Sequence, residues 1–408
     1  MLGWFDVYFS HFDHENVDVN QLRWLIRQRA DPNASPESLA LLMQYADLLE
    51  KVPVDEGTVK GVITTLYDLD FAGRAGAILQ AYDQGQDVDP VHELAELARV
   101  VKRARSNGKA DDYERTAIGD ILAEMADDKG IKFANLPVLR ESVAAMLGGS
   151  SVAIGARPDK GKTSLIAFIL AGFAPQLVRV FGPDRPVLWL NNEGTAKRIK
   201  PRLYQAALNI TLPEMVQMSN EGTLEQAYLQ RLGIPNLDYI RVKDIHGASM
   251  AQCEQIIEDM RPSVVVWDML ANVRMSTSAG ANKADAVEQA WQTTRELAVT
   301  HDHISLATVQ VSVEGGNQLY PPYNALKDSK TGIQGATDLI LIMGALDNAQ
   351  YQTLRGLGTP KNKFSVAGRP SHAEAEFTFD GQRCQFIQQE THQNVVPHEG
   401  QVVAGPSP

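Results

Sequence analysis

Two hydrophobic rhythms divide the chain. Up to about residue 105, apolar residues recur every three or four positions. PESLALLMQYADLLEKV (36–52) and DFAGRAGAILQAYDQG (70–85) show this spacing, with Pro, Gly and Asp between them. It predicts helices. From about residue 150, short runs rich in β-branched residues alternate with helical patterns: SSVAIGA, RPVLWLNNE, LDYIRVKDI, SVVVWDM, HISLATVQV and DLILIMG. Continuous apolar strands interleaved with helices predict an α/β fold with a mostly parallel, helix-covered sheet. Between the two regimes, the polar stretch RARSNGKADD (103–112) reads as a linker, followed by a helical pattern over 112–128. The expected domains are a helical 1–105, a linker with helix over 106–130, an α/β core over 131–390 and a disordered tail over 391–408. The tail has no periodicity, and no internal repeat is visible.

Charge and composition narrow the picture. The 408 residues carry a formal net charge of −12, which excludes a basic nucleic-acid wrapper. Any contact with a nucleic acid must use a local patch or a channel. The two cysteines, Cys253 and Cys384, are far apart with no CxxC pairing, which fits a reducing cytosol and offers no zinc or disulfide framework. No apolar run is read as a membrane span and no basic leader starts the chain. A cytoplasmic protein without a membrane partner is expected.

The chemistry concentrates in AIGARPDKGKTSL (153–165). It matches [A/G]xxxxGK[T/S], lies between a predicted strand (152–154) and a predicted helix (163–172), and so reads as a phosphate-binding P-loop. Its residues run Ala156, Arg157, Pro158, Asp159, Lys160, Gly161, Lys162, Thr163 and Ser164. Backbone amides and the helix N-terminus favour the phosphates of ATP, Lys162 reaches the β- and γ-phosphates, and Thr163 holds Mg²⁺. Asp268 ends the apolar run SVVVWDML, where a carboxylate orients the same metal. Met269 follows it, so the base must come from elsewhere. Glu193, at the end of VLWLNNE, is the candidate that polarises the attacking water. Gln310, in ISLATVQVS, is placed to sense the γ-phosphate.

Together GARPDKGKTS, LNNE with KRIKPRL after it, VVVWDML and ATVQVS resemble, in order and spacing, the motifs of RecA-fold ring helicases of the DnaB type, phage relatives included. DSKTGIQGATDLILIM (328–343) and PKNKFSVAGRP (360–370) extend the resemblance, which covers about residues 130–390. It implies a RecA-like core, a homohexameric ring on single-stranded DNA, ATP held between neighbours, and DNA unwinding at a fork. It also implies trans-acting basic residues, by position Lys361 and Lys363. The second is lysine where arginine is usual, so either Lys363 suffices or Arg369 takes that role. DNA contacts are expected from the loop 271–285, with Arg274 and Lys283, and from the loop 313–332, with Lys327, Lys330, Tyr320 and Tyr323. The N-terminal third lacks a primase signature and is expected to dock a primase, loader or polymerase. Two alternatives stay open: a RecA-like recombinase or strand-annealing ATPase, and a non-translocating, nucleotide-switched assembly ATPase.

Overall fold

The computed structural model describes residues 2–12, 17–29, 36–51, 56–86, 88–107, 117–119, 129–275, 283–327 and 330–389. Most of the helix expected over 112–128 and the tail from 391 lie outside them. The chain forms two compact units, Met1–Asp112 and Tyr113–Pro408.

The first unit is helical: α1 (Leu2–His11), α2 (Val19–Arg29), α3 (Pro36–Lys51), α4 (Glu56–Asp83) and α5 (Pro90–Asn107). Leu22, Leu25 and Ile26 share one face of α2 and bury against Tyr8 of α1. The Tyr8 hydroxyl donates to Gln21 Oε1 and accepts from the backbone N–H of Asp18, so the buried phenol is satisfied at both ends. Asp18 in turn caps α2 by accepting from Asn20 N–H at 2.8 Å. The periodic run 70–85 proves to be the second half of the 28-residue α4. Gly85, at φ +75°, ends that helix in the left-handed conformation glycine adopts without penalty.

The second unit is built on a nine-stranded sheet in the order β3-β2-β4-β5-β1-β6-β7-β8-β9. The strands are β1 (Ser151–Ala156), β2 (Val187–Asn191), β3 (Ile240–Asp244), β4 (Val264–Asp268), β5 (Ile304–Gln310), β6 (Leu339–Gly344), β7 (Leu354–Asn362), β8 (Glu374–Asp380) and β9 (Gln385–Gln388). The six expected strands are β1–β6, all parallel; β7–β9 add an antiparallel edge. Alternate side chains enter opposite cores. Ile154, Val264, Val266 and Leu341 face the helix Lys162–Phe181, while Ala153, Val265, Trp267 and Ile340 face Trp291 of the helix Lys283–Thr300. That double coverage is why β2 and β4 are apolar at nearly every position, whereas β3, at the sheet edge, carries Arg241, Lys243 and Asp244. Pro360, which has no N–H for the ladder, sits in β7 where its pairing with β6 shifts register between Ile340 and Ile342.

The P-loop helix runs well past the Gly172 expected as its end, continuing through Pro175 to Phe181. By length and composition alone, this helix is apolar enough to cross a membrane, contrary to the sequence expectation. Twelve of its residues are buried in the unit's own core, among them Phe168, Phe173 and Leu177, which accounts for the hydropathy. Cys253 and Cys384 are buried free thiols.

Candidate nucleotide-binding active site

Parallel strands end on one edge, and there the loops collect. β1 leads through residues 157–161 into the helix Lys162–Phe181. Asp159, at φ +57°, and Gly161, at φ +104°, reverse the chain so that the loop closes over the helix N-terminus. Gly161 cannot be replaced cheaply: a Cβ there would stand 2.9 Å from the Phe379 ring, at a φ that side chains disfavour.

Neighbouring strand ends bring the carboxylates. Asn191 of β2 and Asp268 of β4 are register partners, so Glu193, two residues beyond β2, falls beside the end of β4. Lys162 Nζ lies 2.8 Å from Glu193 Oε2 and 3.7 Å from Asp268 Oδ1. Lys162 is 8% exposed and Asp268 2%. Burial pushes the Asp268 carboxyl above its ordinary value; the Lys162 charge opposes that shift, and Glu193 adds to it. Thr308, inside β5, donates to Asp268 Oδ1 at 3.0 Å and fixes its rotamer. Behind the carboxylate, the Asn192 side-chain oxygen accepts from Met269 N–H at 2.7 Å, and Asn192 N–H donates to Asp268 O. The turns after β2 and β4 are therefore tied together.

A cleft of about 490 Å³ opens over these groups, lined among others by Gly161, Lys162, Thr163, Glu193 and Asp268. This is ample for a nucleotide phosphate tail and sugar. Arg157, Pro158 and Asp159 also line it, whereas Ala156, Lys160 and Ser164 do not. Lys160 Nζ turns outward to Asp347 at 2.8 Å, holding that carboxyl below its ordinary range. Ser164 is buried beneath the loop, where its hydroxyl accepts from Arg202 at 2.7 Å and sits 3.6 Å from Cys384 Sγ. Thr163 facing the cleft beside one buried carboxylate is a donor set that suits Mg²⁺, which keeps several waters and shares phosphate oxygens. No cluster of three His, Cys, Asp or Glu side chains suited to a tighter metal cage occurs among the described residues.

Gln310 is the register partner of Ala156, adjacent to the P-loop. Its Oε1 accepts from Lys327 Nζ at 3.1 Å, and its backbone oxygen accepts from Lys327 N–H. The sensor candidate is thus bonded to the loop expected to touch DNA. Arg274 is exposed and carries a bridge to Ser249. Lys283 and Lys330 open their helices, and their side chains lie outside the described residues. Tyr323 is exposed at 41%, whereas Tyr320 is partly buried, with its hydroxyl pushed up to about 12 by burial and by Glu376 and Glu374.

The basic residues of β7 lie at the far edge. Lys361 pairs with Ile340 and Lys363 follows Asn362, the partner of Leu339, whereas the P-loop leaves from the Met343 end of the sheet. Lys361 donates to the carbonyls of Gln334 and Thr337, closing the end of the helix Lys330–Ala336. Burial, and then the Lys363 charge, lowers its pKa. Lys363 is 56% exposed and stands 3.5 Å from Asp338, while Arg369 pairs with Glu141 at 3.3 Å.

Two contributors were not expected from the sequence. Arg355, buried on β7, donates to Lys160 O at 2.8 Å and lies 5.0 Å from the Phe379 ring centroid. Phe379, on β8, lines the cleft and stacks on Phe386. The antiparallel strands therefore brace the P-loop. A charged residue inside the otherwise apolar LRGLG was the available signal.

The fold and the site define a RecA-like P-loop nucleotide-binding core with a helical N-terminal unit. A family model described as an AAA domain matches residues 119–316. Among solved structures, "The Structure Of A DnaB-Like Replicative Helicase And Its Interactions With Primase" is similar over 94% of this chain and 91% of that one, with a TM-score of 0.59 at 16% identity. A second solved structure, described as an ATPase domain, is similar over 68% of this chain and all of that one, with a TM-score of 0.53 at 16% identity. The chain thus resembles DnaB-like replicative helicases in fold. No curated protein sequence matches it significantly.

Proposed function

We propose that this chain is an ATP-hydrolysing ring translocase that moves on single-stranded DNA and unwinds duplex at a fork. The observation that carries the reading is the convergence of Lys162, Glu193 and Asp268 within 3.7 Å from three strand ends, beside a sensor-position glutamine, in a fold shared with DnaB-like helicases.

Lys162 and Glu193 neutralise each other at 2.8 Å. Entering phosphates compete for Lys162, which draws the ammonium off Glu193 and leaves a carboxylate free to orient and deprotonate water. Thr163 and Asp268 would hold Mg²⁺, whose contribution when bound is neutralising charge on the β- and γ-oxygens. Departure of the γ-phosphate changes what Gln310 faces, and its bond to Lys327 carries that change into the 311–327 loop. Arg274, Lys283, Lys327 and Lys330 are the proposed phosphate-backbone contacts; six copies of a few cations make a positive channel inside an acidic particle. Lys361 and Lys363 sit away from their own cleft and serve the neighbour's: Lys361 shapes the edge, and Lys363 reaches across. The helical unit, with Trp24 and Tyr45 about half exposed, is the proposed primase or loader platform.

ATP turnover with and without single-stranded DNA tests this. The expected result is turnover that DNA stimulates and that Lys162→Ala abolishes. Turnover indifferent to DNA would contradict translocation.

A further inference from the structure

The far edge of the sheet holds a second, smaller constellation. Asp338, which immediately precedes β6, is buried, yet three donors from three separate segments converge on its carboxylate. Oδ2 accepts from Ser151 N–H at 3.1 Å and from Arg295 Nη1, and Oδ1 faces Lys363 Nζ at 3.5 Å. Its backbone is held too: Asp338 N–H donates to Ser151 O, and Lys363 N–H donates to Asp338 O. Arg295 belongs to the helix Lys283–Thr300, which packs on the opposite side of β1 and β5 from the P-loop helix. A hollow of about 350 Å³ opens there, lined by Gly148, Gly149, Arg295, Val299, Asp338 and Phe364.

One carboxylate against two cations leaves the cluster with a net positive charge. Two further guanidiniums at this edge are already paired, Arg369 with Glu141 and Arg185 with Asp302.

We propose that Asp338 is a positioning residue that holds Lys363 and Arg295 together as a two-cation device facing the neighbour's bound phosphates. This inference rests on the shared-site reading given above. The guanidinium missing from position 363 is supplied from another element. Asp338 limits the freedom of a lysine that would otherwise sample many rotamers, and preorganisation of that kind is what a trans-acting cation needs. Because Lys363 is half exposed and only 3.5 Å from its partner, it can leave for a more strongly charged phosphate without stranding a buried ammonium.

The test uses mixed oligomers of the full chain, with ATP turnover as the readout and nucleotide binding and Tm as controls. Head-to-tail contacts take the P-loop from one copy and Lys363 from the next. Equal mixing of Lys162→Ala with Lys363→Ala should therefore restore about a quarter of the interfaces. Asp338→Asn, which keeps an oxygen for the Ser151 N–H, should lower turnover about 10- to 100-fold with binding unchanged. It should be rescued by Lys162→Ala copies and not by Lys363→Ala copies, and should add less than its full effect to Lys363→Ala in one chain. Arg295→Ala should follow it in both mixtures. Rescue of Asp338→Asn by Lys363→Ala copies, or full turnover of Asp338→Asn alone, overturns the positioning role. Failure of Lys162→Ala and Lys363→Ala to rescue each other overturns the shared site itself, and the positioning role with it.

Discussion

The two edges of the parallel sheet carry the same pairing, a buried aspartate against a lysine, with opposite accessibility. At the carboxyl edge, Lys162 is 8% exposed, wedged between Glu193 and Asp268 on the floor of the cleft. At the amino edge, Lys363 is 56% exposed and leans on Asp338 from outside. A buried lysine cannot travel, so the ligand must come to it. An exposed one costs little to detach. On the proposed function, the first lysine serves its own nucleotide and the second is available to another molecule.

Removing the fixed cation should do most damage. Lys162→Ala leaves Asp268 and Glu193 facing each other without a counter-charge, and ATP turnover should fall at least about 1,000-fold. Normal turnover would erase the distinction between the edges. Glu193→Gln comes next: turnover should drop about 100-fold or more while equilibrium nucleotide binding survives, because only the proton acceptor is lost. Arg355→Ala probes the brace under the P-loop. It strips hydrogen bonds from the carbonyls of Lys160, Gln352 and Leu354 and should cost about 2–3 kcal/mol in denaturant unfolding.

The amino edge also buries His303 with both ring nitrogens unpartnered, and burial, helped by the His301 and Arg185 charges, pushes its pKa down to about 3. The unfolded chain takes up that proton near pH 6.5 and the folded chain near pH 3, so stability contributed at neutral pH is lost as pH falls through this window. His303→Leu should therefore gain on the parent protein progressively from about pH 7 to about pH 4 in urea unfolding; an unchanged difference would contradict the assignment. The smallest effect belongs to Arg369→Ala. Its ion pair with Glu141 is half exposed on both sides, and stability should change by about 0.5 kcal/mol or less. A large loss of turnover in that variant would move the trans-acting role from Lys363 to Arg369.

The carboxyl edge was legible because strand, glycine loop and helix are consecutive in sequence, and because β2 and β4, buried on both faces, are apolar runs that lead straight into functional residues. VVVWD and VLWLNNE state strand and site together. The amino edge was not. Asp338, Arg295 and Lys363 come from three elements whose meeting depends on sheet order; only the resemblance singled out Lys363, and Asp338 and Arg295 each read as an ordinary charge. β7–β9 carry Gly, Pro and polar residues at intermediate positions, being partly exposed, so no apolar run announces them. That hid Arg355 and Phe379, the residues that brace the P-loop from outside the parallel sheet.

The central claim is that nucleotide chemistry at the carboxyl edge drives movement along DNA. Unwinding of a forked duplex with ATP, using substrates that bear only a 5′ or only a 3′ tail, tests it most directly. The account predicts strand separation that requires one of the two tails, so giving the polarity, and disappears in Lys162→Ala. DNA-stimulated ATP turnover with no separation on either substrate would contradict it.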